Sequence, residues 1–171
     1  MRGRQGDNVA GETMYQVRPW WMDLLLRGPG DLGSRFSRWA VTVVIAAGGV
    51  LTLGSGVIHL YLWGKQYGYK DVPTIGPLFL IQGIVTILLG LAIIASRRVV
   101  VLLAGAGLLV ASVVALILAV EVGLFGFKDS WLAPYAKTSL YEEIAGAVLL
   151  LAAAVVVAWS GLPGRASETG R

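Results

Sequence analysis

The stretch that decides the fold runs from Ala40 to Leu62 and reads AVTVVIAAGGVLTLGSGVIHLYL. It contains no Asp, Glu, Lys or Arg, and His59 is its only side chain that ionises near neutral pH. About 20 apolar residues, at a rise of about 1.5 Å each, cover the roughly 30 Å hydrocarbon core of a bilayer. The stretch therefore predicts a helix that crosses a membrane.

Three further stretches share this length and composition, and they lie at about 75–95, 99–121 and 140–159. The chain is 56% apolar and 14% charged, whereas soluble domains carry about a quarter charged residues. We therefore predict an all-α fold, a four-transmembrane-helix antiparallel bundle in residues 39–160. An N-terminal segment at 1–38 precedes this membrane domain, and a tail at 161–171 follows it.

Basic residues are distributed unevenly between the two sides of the predicted bundle. Ten of them precede the first span, join the second span to the third or lie in the tail: Arg2, Arg4, Arg18, Arg27, Arg35, Arg38, Arg97, Arg98, Arg165 and Arg171. Four lie in the other two loops: Lys65, Lys70, Lys128 and Lys137. Because loops rich in Lys and Arg stay in the cytoplasm, we predict a multi-pass plasma-membrane protein with both termini cytoplasmic.

Residues 19–27 predict a short amphipathic helix, in which Pro19 suits the first turn and Gly28 the C-terminal stop. Two tryptophans and two leucines form the apolar side of this helix: Trp20, Trp21, Leu24 and Leu25. Such a short helix cannot span a bilayer, so we predict that it lies in the inner membrane interface. Its apolar side then serves as an interfacial anchor or, alternatively, docks onto a partner protein.

Small and polar residues recur at helical spacing on each span, as expected for helices that pack closely in lipid. The members of these stripes are Gly49, Thr52, Gly56 and His59 on the first span, Gln82, Gly83, Thr86 and Gly90 on the second, Gly105, Ser112, Ala115 and Ala119 on the third, and Glu142, Ala145, Gly146 and Ala153 on the fourth. These stripes are predicted to face the interior of the bundle.

Polar side chains within membranes are costly and often mark a functional site. His59, Gln82 and Glu142 fall in the outer half of their spans and form a candidate polar pocket. For His59, a hydrogen bond to water or to a loop carbonyl and a bond between helices are the alternatives. Ser139 and Glu142 also match a capping box at the start of the fourth helix, and Glu121 is interpreted as a helix-end charge at the interface.

Catalytic and cofactor motifs are absent from the sequence. There is no cysteine and only one histidine, which excludes disulfides, thiolate catalysis and a bis-histidine haem. The sequence also lacks a phosphate-binding glycine loop and the spacing of a zinc protease or serine hydrolase. We therefore predict no catalytic residues, no cofactor and no metal ligands, and the protein is interpreted as non-enzymatic.

One resemblance to known proteins rests on three strings of residues. They are His59-Leu60-Tyr61-Leu62-Trp63, the run from Pro73 to Gln82, and the Gly/aromatic run from Gly123 to Lys128. Over about residues 55–155 the chain resembles a loose group of uncharacterised actinobacterial four-helix integral membrane proteins. The resemblance implies the four-helix topology and carries no function.

Two functional hypotheses follow from the sequence. The first is an accessory or interaction subunit of the membrane, with a larger membrane complex or a homo-oligomer as partner. The second is a small carrier or sensor that binds a ligand, a proton or a metal in the outer-leaflet pocket around His59. The lipid bilayer is the partner common to both, and no nucleic acid is expected, because the basic residues follow membrane topology.

Overall fold

The structure is a computed structural model, and it describes residues 19–30, 32–64 and 68–160. The predicted tail at 161–171, residues 1–18 of the N-terminal segment and Lys65 lie outside the described residues. The described chain is all-α. Its five helices are α1 (Trp20–Leu26), α2 (Arg35–Trp63), α3 (Ile75–Ser96), α4 (Val99–Glu121) and α5 (Ala136–Ser160).

The predicted fold class is confirmed, because α2 to α5 pack as an antiparallel four-helix bundle and α1 precedes them as a short helix. All four long helices are long and apolar enough to cross a membrane. We call the end that carries the α2–α3 and α4–α5 loops the long-loop end. The opposite end, where Arg97 and Arg98 join α3 to α4, is the short-turn end.

Glycines bring α2 and α3 into the most extensive helix contact of the bundle. A Cβ atom added at Gly56 would lie 2.9 Å from the backbone oxygen of Gly83, and one added at Gly90 would lie 3.0 Å from that of Gly49. The two backbones can approach this closely only because no side chain stands between them. The predicted stripes on α2 and α3 therefore do face each other.

The stripe predicted for the fourth span is wrong at two positions. Ala145 is exposed and Glu142 is only partly buried, whereas Glu143, Gly146 and Ala153 are buried. The buried face of α5 recurs every three or four residues from Glu143, one position later than predicted. Gly146 lies three residues after Glu143 and four after Glu142, and both spacings place two residues on the same face of a helix. Helical spacing alone therefore could not decide which glutamate is buried.

The start of α5 also differs from the prediction. This helix begins at Ala136, and the Ser139 amide already donates to the carbonyl oxygen of Tyr135 at 2.7 Å. Ser139 therefore lies inside the first turn, so the prediction that it caps the helix is wrong. The apolar stretch marked the membrane-crossing part of α5 and missed its polar first turn.

The buried core lies mainly in the half of the bundle near the short-turn end. Its members are Ile45, Ile93, Val99, Leu102, Ala106, Leu109, Ala147, Leu150, Ala153, Ala154 and Val157. At this end the carbonyl oxygen of Arg27, just after α1, accepts a 3.1 Å hydrogen bond from the Val99 amide. The Gly30 amide donates to Ser160 Oγ at 3.2 Å. These two bonds fix the segment after α1 to the bundle.

Candidate functional site

A cavity of about 300 Å³ occupies the half of the bundle near the long-loop end. All four long helices and both loops contribute to its wall. Among the described residues, the lining consists of His59, Leu62, Tyr69, Ile75, Leu78, Phe79, Gln82, Ala111, Ser112, Ala115, Leu116, Ala119, Leu124, Phe127, Asp129, Pro134, Tyr135, Ala136, Ser139 and Glu143.

The cavity exists because α3 and α4 separate towards the long-loop end. Their contact is the slightest of the four neighbouring helix pairs, although the turn at Arg97 and Arg98 holds them together at the other end. The α4 side of the wall is mostly small, with alanine or serine at 111, 112, 115 and 119. Four lining residues are exposed at the surface: Leu78 on α3, Ala111 on α4, and Pro134 and Tyr135 in the loop before α5. The cavity is therefore open between α3 and α4 and also at its long-loop end.

Glu143 is the acidic side chain at the base of this cavity. It is 1% exposed, and its Oε1 accepts hydrogen bonds from Ser55 Oγ at 2.8 Å and from Ser112 Oγ at 2.7 Å. Its Oε2 is buried and has no hydrogen-bond partner among the described residues. The three residues come from α5, α2 and α4, so the carboxyl group lies where three helices meet, about two turns from their long-loop ends.

His59 lines the cavity from α2. Its Nδ1 lies 2.8 Å from the carbonyl oxygen of Ser55, one turn earlier on the same helix, and its ring packs 5.2 Å from that of Phe79. A carbonyl oxygen can only accept, so Nδ1 carries the hydrogen and Nε2 of the neutral ring keeps a lone pair. The bond to Ser55 accounts for one ring nitrogen and leaves the other for the cavity.

Gln82 lines the cavity from α3. Its Nε2 is buried and has no partner among the described residues. Gln82 and Glu143 thus present an unpaired donor and an unpaired acceptor that do not pair with each other. Buried polar groups in folded proteins nearly always have a partner, so a wall with two unpaired groups is unusual.

Of the three residues predicted to form the polar pocket, the structure brings two into one cavity. His59 and Gln82 line it, whereas Glu142 is not among its lining residues. A side chain added at Gly54 would collide with the Glu142 carboxyl group, which therefore lies over the α2 backbone. The next residue, Glu143, lies in the cavity wall instead. Glu143 lies four residues after Ser139, which also lines the cavity, and this helical spacing is the feature of the sequence that could have indicated its position.

The loops partly close the cavity at its long-loop end through Tyr69. This residue is 8% exposed, stacks on Phe79 at 4.8 Å and contacts Phe127 edge-on at 5.8 Å. Its hydroxyl donates to both carboxylate oxygens of Asp129, at 3.2 and 3.3 Å. Burial, and to a lesser degree the Asp129 charge, raises the pKa of Tyr69 well above its ordinary value. A neighbouring cavity of about 290 Å³ lies on the far side and shares Tyr69 and Asp129.

The remaining predicted residues lie away from the cavity. Glu121 is exposed at the end of α4, and its Oε1 accepts a 2.9 Å hydrogen bond from Trp131 Nε1. On α1, Trp20 is 77% exposed and Trp21 is 49% exposed, while Leu24 and Leu25 are partly buried. The two tryptophans thus project from the bundle at the short-turn end.

The described residues contain no set of side chains suited to binding a metal ion. Within residues 19–30, 32–64 and 68–160, no three His, Cys, Asp or Glu side chains come together in a way that could hold an ion. The cavity offers one imidazole and one buried carboxyl group. The structure therefore gives no support to the metal version of the pocket hypothesis.

The fold defines the class of this protein, a small multi-pass membrane protein with four candidate spans. No protein-family model, no curated protein and no solved structure matches the chain. The resemblance to actinobacterial four-helix proteins therefore stays a prediction. Any functional conclusion has to come from the cavity and its residues.

Proposed function

We propose that this protein binds a small, mainly apolar molecule in the cavity between α2, α3, α4 and α5. The observation that carries the proposal is the cavity of about 300 Å³ with Glu143 buried in its wall and one carboxyl oxygen unpaired. Ligand pockets are typically apolar clefts of this size with a few well-placed polar groups. The proposed role is binding, as in a carrier or sensor, with no covalent chemistry.

The cost of burying Glu143 supports this proposal. An ionised carboxylate without a cationic partner costs several kcal/mol in a protein interior, and a neutral acid still forfeits one hydrogen bond. If this position served only to pack three helices together, an apolar residue of similar volume would stabilise the bundle better than Glu143. A ligand that pairs with Oε2 removes this cost, and ligand binding would therefore explain why an acid is buried at this position.

The orientation of the bundle across the membrane determines in which leaflet the cavity lies, and so from which leaflet the ligand enters. The described arginines lie at or near the short-turn end: Arg27, Arg35, Arg38, Arg97 and Arg98. The described lysines lie at the long-loop end. We propose that the short-turn end is cytoplasmic. The cavity then lies in the outer leaflet of the plasma membrane, with its side opening towards lipid.

Filling the cavity tests the proposal. Ala115 lines it from α4, so Ala115→Leu places three additional carbon atoms in the binding space. The matched control is Ala104→Leu, which adds the same atoms to an exposed position on the same helix. With phenylbutanol as an apolar probe and the protein in lipid nanodiscs, we expect Ala115→Leu to weaken binding by about tenfold or more. Equal binding by both variants and the wild type would overturn the proposal.

A second candidate function rests on the exposed tryptophans of α1. Trp20 is 77% exposed on a segment that hydrogen bonds fix to the bundle, so an aromatic surface is presented in a defined position. This favours an accessory subunit that contacts another membrane protein. Purification from native membranes in mild detergent tests it: a stoichiometric partner should be lost from Trp20→Ala and kept by Trp159→Ala, an exposed tryptophan on α5.

A further inference from the structure

The charges that face the cavity are acidic. Among its described lining residues Glu143 and Asp129 are carboxylates, His59 and Tyr69 are neutral in the forms described above, and none is Lys or Arg. Lys128 lines the neighbouring cavity, beyond Asp129. An anionic ligand would therefore meet like charge at both ends of the cavity, whereas a cation would meet opposite charge.

The hydrogen-bonding groups favour a ligand that donates. Both serine hydroxyls that reach Glu143 bond to Oε1, so Oε2 has no partner among the described residues and can accept in the ionised carboxylate. His59 adds the lone pair of Nε2, because its Nδ1 is engaged with the Ser55 carbonyl. The unpaired donor on the wall is the Gln82 amide. A group with several N–H donors and a positive charge complements this set.

Aromatic rings surround the path between Asp129 and Glu143. Tyr69, Phe79, Phe127 and Tyr135 all line the cavity, and Tyr69 contacts both Phe79 and Phe127. The faces of such rings attract cations, most strongly where water is excluded. The same rings, with the leucine and alanine side chains of the wall, suit an aryl or alkyl body. The opening between α3 and α4 admits such a body from lipid.

We propose that the ligand is a lipophilic amine, a compact apolar or aryl body with one ammonium group, which pairs with Glu143 Oε2. This inference rests on the proposed function, because it specifies the ligand of the same cavity. The amine enters with its apolar end free to face the opening beside Leu78 and Ala111, and its ammonium replaces the missing partner of the buried carboxylate. A charge pair of this kind is stronger than a neutral hydrogen bond.

Three probes of equal length separate the possibilities: phenylbutylamine, phenylbutanol and phenylbutyrate. Each is measured by equilibrium dialysis against the full chain in phosphatidylcholine nanodiscs at neutral pH, with empty nanodiscs to subtract partitioning into lipid. We expect the wild type to bind the amine about tenfold or more tightly than the alcohol, and the acid weakest of the three. Glu143→Gln should abolish the advantage of the amine over the alcohol.

Glu142→Gln is the matched control, because it removes the adjacent carboxylate, which lies over Gly54 outside the cavity wall. It should keep the amine preference. Equal binding of amine and alcohol to the wild type, or tighter binding of the acid, would overturn the amine assignment and leave the cavity function intact. Failure of every probe to respond to Ala115→Leu would overturn the cavity function itself. The wild-type comparison needs no variant, so it decides the matter even if Glu143→Gln does not fold.

Discussion

Glu143 presents two chemically different oxygens to its surroundings, although both belong to one carboxyl group. Oε1 is held by hydroxyls from two other helices, so the position of the group is fixed by the fold. Oε2 is left without a partner among the described residues. One oxygen thus orients the group and the other is available for binding. Pre-organisation of this kind lowers the entropic cost of capturing a ligand.

The hydrogen bonds from the two serines to Glu143 Oε1 should contribute measurably to the free energy of unfolding. Ser55 is completely buried, so Ser55→Ala leaves the buried carboxyl group with one hydrogen-bond donor fewer. We expect a loss of about 1–3 kcal/mol in the free energy of unfolding, measured by titration of mixed micelles with a denaturing detergent. Ser96→Ala, at an exposed position at the end of α3, should change it by less than about 0.5 kcal/mol. A neutral Ser55→Ala would show that the bond contributes nothing.

Tyr69 gives the protein a stability that depends on alkaline pH. Its pKa is raised in the folded state by burial and by Asp129, so the folded chain keeps a proton that the unfolded chain loses above about pH 10. Stability from this residue is complete below that pH and declines as the pH rises further. We expect the wild type to lose more thermal stability than Tyr69→Phe between about pH 9 and pH 11. Parallel melting curves in detergent check this, and identical losses would contradict it.

At this scale, two of the three residues predicted for the polar pocket line the cavity and the third does not. His59 and Gln82 lie in one cavity, and both stood out because polar side chains are rare in apolar helices. Glu142 was placed in the candidate pocket because it lay on the predicted stripe of α5, whereas the structure buries Glu143 and leaves Glu142 partly buried. One residue of helix is a rotation of about 100°, which is enough to move a carboxyl group off the buried face. The hydrogen bond from Ser55 to Glu143 depends on a contact between helices far apart in sequence, which helical spacing alone does not reveal.

At the scale of the helices, the pairing of α2 with α3 depends on glycine. The backbone atoms of α3 that face Gly56 lie within contact distance of any Cβ placed there, and backbone cannot rotate aside as a side chain can. The glycines of α2 and α3 were visible in the sequence as stripes, because close packing in lipid needs small residues at helical spacing. The helix that each stripe packs against could not be predicted, because residue spacing identifies one face of a helix and does not identify the neighbouring helix.

Gly56→Ala should therefore separate α2 from α3. The added methyl group would lie 2.9 Å from the Gly83 oxygen and 3.0 Å from the Ile87 nitrogen, so the helices must shift. We expect a loss of about 1–3 kcal/mol in the free energy of unfolding, read from the same detergent titration. Gly107→Ala is the control, because a Cβ at Gly107 on α4 meets nothing within 4 Å. There the substitution should be neutral or slightly stabilising, since alanine favours the helix by up to about 1 kcal/mol. Equal effects at the two sites would contradict the role of Gly56.

The whole molecule divides into a tightly packed half and a half that holds a cavity. Large aliphatic residues fill the short-turn half, whereas small side chains on α4 and the separation of α3 from α4 leave space in the other. Hydrophobic runs predict the number of helices well, because lipid demands about 20 apolar residues whatever their neighbours are. A cavity follows from the angle between helices, and no run of residues encodes that angle by itself.

Cavity position and membrane orientation together determine which compartment the binding site serves, so orientation is the property of the whole molecule most in need of measurement. The chain contains no cysteine, which makes every introduced thiol a unique reporter. Ser130→Cys places one in the exposed loop at the long-loop end, and Arg97→Cys places one in the exposed turn at the other.

On intact cells, we expect a membrane-impermeant maleimide to label Ser130→Cys and to leave Arg97→Cys unlabelled until the membrane is opened, because arginine-rich segments stay in the cytoplasm. Permeabilised cells, in which both variants should react, control for thiol accessibility. The reverse pattern would place the long-loop end in the cytoplasm. The cavity would then collect its ligand from the inner leaflet, and the proposed orientation would be wrong while the binding geometry around Glu143 stayed the same.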